Sequence, residues 1–156
     1  MTIKNNQASL NAPFGSILLT FENGVLIRCE LSEAAIEEDL GSFAGHKAVK
    51  ALKSYLEGDI HALDNWAPSD DGTEFRRRVW KEITKVKAGD TVTYGQIADS
   101  LDSAPRAVGA ACGDNPLPIF LGCHRVVGKS NLGGFAHSAD NVSIKCWLLK
   151  HEQQNM

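Results

Sequence analysis

The residues best suited to chemistry lie in the run Asn115-Pro116-Leu117-Pro118-Ile119-Phe120-Leu121-Gly122-Cys123-His124-Arg125-Val126-Val127, where a thiol follows a short apolar stretch and precedes a base and a permanent cation. A thiolate attacks where a thiol does not, so a nucleophilic cysteine needs nearby positive charge or a general base to hold its proton affinity down. Cys123 has a candidate for each in Arg125 and His124. The competing reading is a buried cysteine closing a core strand, because free cysteine usually packs as a small hydrophobe. Adjacency alone does not decide between them. Successive side chains of an extended strand point to opposite faces, so His124 serves Cys123 only if the backbone turns there or a water carries the proton.

The elements that must hold this segment can be read along the chain. Ile17–Phe21 and Val25–Cys29 flank Glu22-Asn23-Gly24, which is a strong hairpin signal. Val49, Leu52, Tyr55 and Leu56 recur at helical spacing before Gly58 and predict a helix over the sheet's apolar face. Trp66–Gly72 is polar and turn-rich and reads as a linker. Beyond it, Phe75, Val79, Ile83 and Val86 mark one face of a helix whose other sides carry Arg76, Arg77, Arg78 and Lys81. Thr93 and Gln96 fit a capping box for a short helix through Ile97, Ala98 and Leu101. After the turn Asp102-Ser103 comes a second short helix, Pro105 to Cys112, with Gly113 just past its end. Val126-Val127 enters a turn, and a last helix carries Ile144, Trp147, Leu148 and Glu152. The expectation is an α+β chain. A sheet-and-helix domain over residues 1–70 precedes a mostly helical domain over residues 71–156 with a helix-turn-helix.

The second helix of that pair is unusual for a DNA reader. Apart from Arg106 it offers almost only small side chains, which cannot reach major-groove base edges in the ordinary way. Small residues let a backbone come close to another surface, either a neighbouring helix or the floor of a minor groove.

Composition narrows the classes. The 156 residues, 43% of them hydrophobic, support one good core or a small unit packed on a larger one. No apolar run reaches the ~20 residues that span a bilayer, and Met1–Asn6 lacks the apolar stretch of a secretory signal, so the expected location is the cytoplasm, away from membranes. Cys29, Cys112, Cys123 and Cys146 show no paired spacing of zinc-binding type, so free thiols and no structural metal are expected, with Cys146 in the core. The net charge of −3 hides an asymmetry: residues 1–70 carry 5 Lys/Arg against 10 Asp/Glu, whereas residues 71–156 carry 11 against 9. The half that holds Cys123 is the basic half.

Together, Thr93-Tyr94-Gly95-Gln96-Ile97-Ala98, Arg106-Ala107-Val108-Gly109, Asn115-Pro116, Cys123-His124-Arg125-Val126-Val127 and Lys145-Cys146-Trp147-Leu148-Leu149-Lys150-His151-Glu152 resemble the O6-alkylguanine-DNA alkyltransferases, also called methylated-DNA–protein-cysteine methyltransferases. The resemblance is ordered along the C-terminal half; the first 70 residues look like that family's variable sheet-and-helix domain on weaker grounds. It implies that Cys123 takes the alkyl group from O6 of guanine irreversibly, once per molecule, without a cofactor. His124 would draw off the thiol proton through a water, Glu152 would orient that imidazole, and Asn115 would hold the turn. Tyr94 would protonate the guanine ring nitrogen and help rotate its phosphate. Arg106 would fill the stack vacated by the flipped nucleotide, with Ala107, Gly109 and Ala110 lying along the minor groove. Val126, through its carbonyl oxygen, and Phe135 would line the guanine pocket. The implied partner is double-stranded DNA containing O6-alkylguanine, bound by a monomer.

The chain departs from the family pattern twice. Gly122 stands where the family nearly always has proline, and the segment from Phe135 to Lys145 is longer than usual, with His137 and Asp140 replacing a small Gly-Gly pair. Three other readings make different demands. A non-catalytic alkylguanine-DNA-binding protein would carry another residue at position 123. A cysteine hydrolase would turn over esters or amides with no need of Arg106, and a helix-turn-helix regulator would bind a sequence and form no covalent product.

Overall fold

The computed structural model describes residues 4–133 and 142–156. Its N-terminal sheet is antiparallel, with β1 (Gln7–Ala12), β2 (Gly15–Glu22) and β3 (Val25–Ser32) side by side in chain order. Asn23 and Gly24 turn β2 into β3 with φ of 51° and 77°, the paired left-handed conformation of a type I′ turn that matches the twist of its strands. Ile17, Leu19 and Phe21 of β2 point into the core, as the period of two requires. The sequence gives no expectation of β1. Its segment, Gln-Ala-Ser-Leu-Asn-Ala, lacks β-branched residues and is recruited by pairing with β2, from Gln7 opposite Thr20 to Ala12 opposite Gly15.

Helix α1 (Lys47–Leu56) forms where its spacing predicts and buries Val49, Leu52 and Tyr55. His46 caps it, accepting from the Ala48 N–H at 3.0 Å through Nδ1, while its Nε2 reaches the Gly24 carbonyl at 2.6 Å and ties the helix start to the hairpin. After a stretch without regular structure, Thr73 caps α2 (Glu74–Ile83), which buries Val79, Trp80 and Ile83. The helix stops short of Val86, because Lys85 and Val86 bond back to Glu82 and Ile83 in tighter three-residue steps.

The short strand β4 (Val92–Thr93) leads into α3 (Tyr94–Ser100), and both halves of the expected capping box are present: Gln96 N–H donates to Thr93 Oγ1 at 3.1 Å and Thr93 N–H to Gln96 Oε1 at 2.8 Å. Asp102, at φ 53°, makes the turn into α4 (Pro105–Gly113), which includes Gly113 as its last residue. Trp80 Nε1 donates to the Ala111 carbonyl at 2.9 Å and docks α4 on α2. Strand β5 (Val126–Val127) lies parallel to β4, and α5 (Val142–Gln154) closes the chain. The buried side of α5 carries Ile144, Lys145, Leu148, His151 and Glu152, a single stripe by helical spacing. Cys146 falls off that stripe and is only half-buried, so the expectation that it sits in the core is corrected.

The sheet and the C-terminal helices meet through specific bonds. Cys29 N–H donates to the Pro116 carbonyl at 2.9 Å, His151 Nε2 donates to the Tyr55 carbonyl at 2.6 Å, and Phe14 packs edge-on against Trp147.

Candidate active site around Cys123

Cys123 is carried by a loop that Asn115 closes. The Asn115 carbonyl oxygen Oδ1 accepts from the Leu117 N–H at 3.0 Å, and its Nδ2 donates to Cys123 Sγ at 3.3 Å. Between them the chain bends through Ile119 at φ 73°, a left-handed conformation that a β-branched residue adopts only under strain. Burial of Ile119, Phe120 and Leu121 helps hold it there. The backbone then turns, as service of Cys123 by His124 requires: Cys123–Arg125 is a single 3-10 turn and Cys123 is not part of a strand.

Gly122 precedes that turn with φ −73°, close to the angle a proline ring would impose. The glycine thus takes a backbone angle that a proline in its place would also take. What the glycine supplies is room, since a Cβ on it would stand 2.7 Å from Arg125 Nη1 and 3.0 Å from Cδ and Cζ.

Arg125 does not face the sulfur. Its Nε and Nη2 each donate to Glu152 at 2.9 Å and its Nη1 to the Val86 carbonyl at 3.0 Å. Glu152 also accepts from His124 Nε2 at 2.7 Å, Tyr55 OH at 2.7 Å and the Gly89 N–H at 3.2 Å. Burial alone would raise the proton affinity of this carboxyl, but the hydrogen bonds from His124 and Arg125 and the Arg125 charge outweigh it and hold the group well below the ordinary carboxylate range. Burial lowers His124 in turn, against the pull of Glu152, so the imidazole rests neutral. With Nε2 engaged by Glu152, the second ring nitrogen, Nδ1, is also buried.

The sulfur itself rests as a thiol. A hydrogen bond with Cys112, burial and the charge of Cys112 raise Cys123 well above the ordinary thiol value, against lowering by the Asn115 hydrogen bond and the charge of Lys145. A base is therefore required at the moment of attack. Lys145 is buried on α5 and donates to the Val126 carbonyl at 2.6 Å and to Tyr94 OH at 3.3 Å. Burial lowers it to about 8, against the opposing charges of Cys112 and Cys123. Tyr94, raised to about 12 by burial and by the same two sulfurs, sits with its ring against Gly133, where a Cβ would stand 2.6 Å from its hydroxyl.

The structure thus gathers Cys123, Asn115, His124, Glu152 and Val126, all buried, and the half-buried Tyr94 into one cluster. Arg106 and Ala110 lie outside it on the exposed side of α4, with Ala107 and Gly109 half-buried and Gly109 3.9 Å from the Tyr94 ring at its projected Cβ. Phe135, His137 and Asp140 fall outside the described residues. Sequence reasoning gave no role to Tyr55, Lys145 or Cys112, and took Arg125 for a neighbour of the thiol. The signal for Lys145 was available: it lies seven residues before Glu152, two turns away on the same helix face. Among the described residues no cluster of three or more metal-ligating side chains occurs, and no helix is long and apolar enough to cross a membrane.

Residues 74–154 match the family profile "6-O-methylguanine DNA methyltransferase, DNA binding domain". A methylated-DNA–protein-cysteine methyltransferase of Metallosphaera sedula is 37% identical over 143 residues, covering 90% of this chain and 88% of the relative. The Mycobacterium tuberculosis protein of the same name is 36% identical over 154 residues, covering 93% and 90%. The crystal structure of a Mycobacterium tuberculosis O6-methylguanine methyltransferase superimposes with a TM-score of 0.75 at 31% identity, over 97% of this chain and 94% of that one. A mycobacterial relative solved in complex with DNA gives 0.74 at 32% identity, over 94% and 92%.

Proposed function

The chain belongs to the 6-O-methylguanine DNA methyltransferase family, and we propose that Cys123 is the sulfur on which its reaction ends. The activity is DNA repair: a methyl group passes from O6 of guanine in DNA to a cysteine of the protein. The observation that carries the assignment of Cys123 is the buried bond of His124 Nε2 to Glu152 Oε2 at 2.7 Å, with His124 in the same turn as a sulfur that Asn115 holds.

Displacement on the alkyl carbon needs a thiolate in line with the breaking C–O bond and a proton for the departing guanine. The resting thiol gives its proton to His124 Nδ1 through a water, and Glu152, already ionised, stabilises the imidazolium that forms. The new S–C bond is a thioether that nothing in the site cleaves, so one acceptor serves once. Tyr94 supplies the proton to the guanine ring nitrogen, and Lys145 beside its hydroxyl favours the phenolate left behind. The Val126 carbonyl, which already accepts from Lys145, accepts the guanine amino group on its second lone pair. Arg106 enters the vacated stack while the small residues Ala107, Gly109 and Ala110 let α4 approach the minor groove. The protein works as a monomer on duplex DNA.

Intact mass before and after exposure to an oligonucleotide containing O6-methylguanine tests the assignment. One added methyl group on Cys123, with none on a Cys123→Ser protein that still binds the DNA, is the expected result. Binding without any mass change would favour non-catalytic recognition, and a methyl group on Cys112 or Cys146 would move the acceptor.

A further inference from the structure

Trp66 begins the turn-rich stretch that the sequence marks as a linker, and the methyl-transfer scheme gives it no task. The structure sets it against the acceptor loop. Asn65, at φ 61°, and the bond from the Trp66 N–H to the Leu63 carbonyl at 3.3 Å turn the chain there. The half-buried indole meets the Phe120 ring edge-on, with centroids 4.9 Å apart and planes at 60°, an arrangement that aromatic pairs favour. Lys47 Nζ stands 5.4 Å from the indole centroid and adds a cation–π contact. Phe120 directly follows Ile119, whose φ of 73° is strained, and it lies three residues before Cys123. The loop around it is tied on either side. Leu121 N–H donates to the Leu117 carbonyl at 2.9 Å, Cys123 N–H to the Leu121 carbonyl at 2.8 Å, and Asn115 Nδ2 to Cys123 Sγ at 3.3 Å.

We propose that Trp66 is a positioning residue for methyl transfer: its ring clamps Phe120, holds Ile119 in the left-handed conformation, and so aims the Cys123 sulfur. The proposal rests on Cys123 being the acceptor. A β-branched residue keeps a positive φ only where its surroundings over-determine it. Phe120 supplies that restraint while its ring has a wall to pack on, and the indole is the wall that the linker contributes. With the indole removed, Ile119 relaxes towards negative φ by turning Phe120 into the vacated space. The bonds on either side of Phe120 carry that rotation to Cys123 and to the turn it begins. In-line displacement tolerates little of this, because a shift of about 1 Å at the reacting atoms can cost about 100-fold in rate. The clamp acts on the attacking sulfur and not on α3 or α4, so the rate at saturating DNA should fall while DNA affinity holds.

The test compares full-length wild-type protein with Trp66→Phe, Trp66→Ala, Ile119→Gly and the Trp66→Ala/Ile119→Gly double variant, each shown to be folded by denaturant titration. Ile17→Val, in the core of the sheet, serves as a control of lowered stability. Affinity for duplex O6-methylguanine, single-turnover methyl transfer at saturating duplex, and transfer from free O6-benzylguanine are measured for each. Trp66→Ala should slow transfer from both substrates by about tenfold or more at unchanged DNA affinity. Trp66→Phe should restore most of the rate, and Ile17→Val should transfer as the wild type does. The decisive measure is the coupling between the two sites. Glycine takes a positive φ without strain, so Trp66→Ala should slow the Ile119→Gly protein by only about twofold or less. Ile119→Asn, which also tolerates the left-handed region, provides a second background. Equal slowing with and without the Ile119 substitutions would overturn the proposal. So would a rate loss that merely follows stability across Trp66→Phe, Trp66→Ala and Ile17→Val, or weaker DNA binding at an unchanged saturated rate. Wild-type protein that takes no methyl group on Cys123 would overturn the acceptor reading, whereas normal transfer by Trp66→Ala would overturn the clamp alone.

Discussion

Glu152 shows how a single buried charge can be both structural and chemical. Its carboxylate accepts from His124, Arg125, Tyr55 and the Gly89 backbone, so the cost of burying it is met by hydrogen bonds from the Cys123–Arg125 turn, α1 and a loop. Burial would raise its proton affinity, yet the pairing lowers it below the ordinary 4.5. The unfolded chain therefore takes up a proton here below about pH 4.5 while the folded one does not, and stability falls as pH drops through that range. Glu152→Gln should remove this acid-side slope in denaturant titrations at successive pH values. At pH 7 it should cost about 3 kcal/mol, because Arg125 is left buried without its counter-charge. Gly122 makes the opposite point, that a residue can matter for what it lacks. Gly122→Ala would push a methyl group into an Arg125 guanidinium that three hydrogen bonds hold in place. The expected loss is about 1–3 kcal/mol in denaturant unfolding, with slower methyl transfer, because Arg125 cannot retreat without releasing Glu152.

At the scale of elements, legibility followed how local the cause is. The Asn23-Gly24 hairpin, the Thr93 and Gln96 capping box and the α1 stripe were readable because turn chemistry, capping and helical spacing act within a few residues. Strand β1 was not, because its pairing with β2 is tertiary, and neither was the early end of α2 at Ile83. In the site, the motif residues were identifiable from the sequence, but the direction of Arg125 was not. Adjacency to Cys123 suggested a cation for the thiol, whereas the 3-10 turn sends the guanidinium to Glu152 on α5, and only a structure shows that rotation. The pair α3 and α4 leaves Arg106 on the exposed face beside small residues. If Arg106 fills the vacated stack, Arg106→Ala should slow transfer from duplex O6-methylguanine far more than transfer from free O6-benzylguanine, since only the duplex needs a filler. Equal losses on the two substrates would assign Arg106 to the fold or the pocket.

Across the whole molecule, the acidic N-terminal part reaches the chemistry through the Tyr55 hydroxyl. Tyr55 on α1 is fully buried, and its OH donates to the same Glu152 oxygen as His124, while its carbonyl accepts from His151 of the same helix. Burial and the Glu152 carboxylate both raise the phenol's proton affinity, so this hydroxyl remains a donor across the working pH range. Because the first strands and helices pack into the same apolar cluster as α2, α4 and α5, the N-terminal part and the site should unfold together. Tyr55→Phe keeps the ring packing and deletes only the bond to Glu152, which is worth about 1.5–3 kcal/mol for a hydrogen bond to a charged group. The expected result is one cooperative transition, shifted to lower denaturant with an unchanged slope, together with slower methyl transfer as His124 loses part of its orientation. If the variant instead splits the curve into two transitions, or transfers at the wild-type rate despite the lost stability, then the sheet-and-helix part only supports the fold and does not help to hold the relay in place.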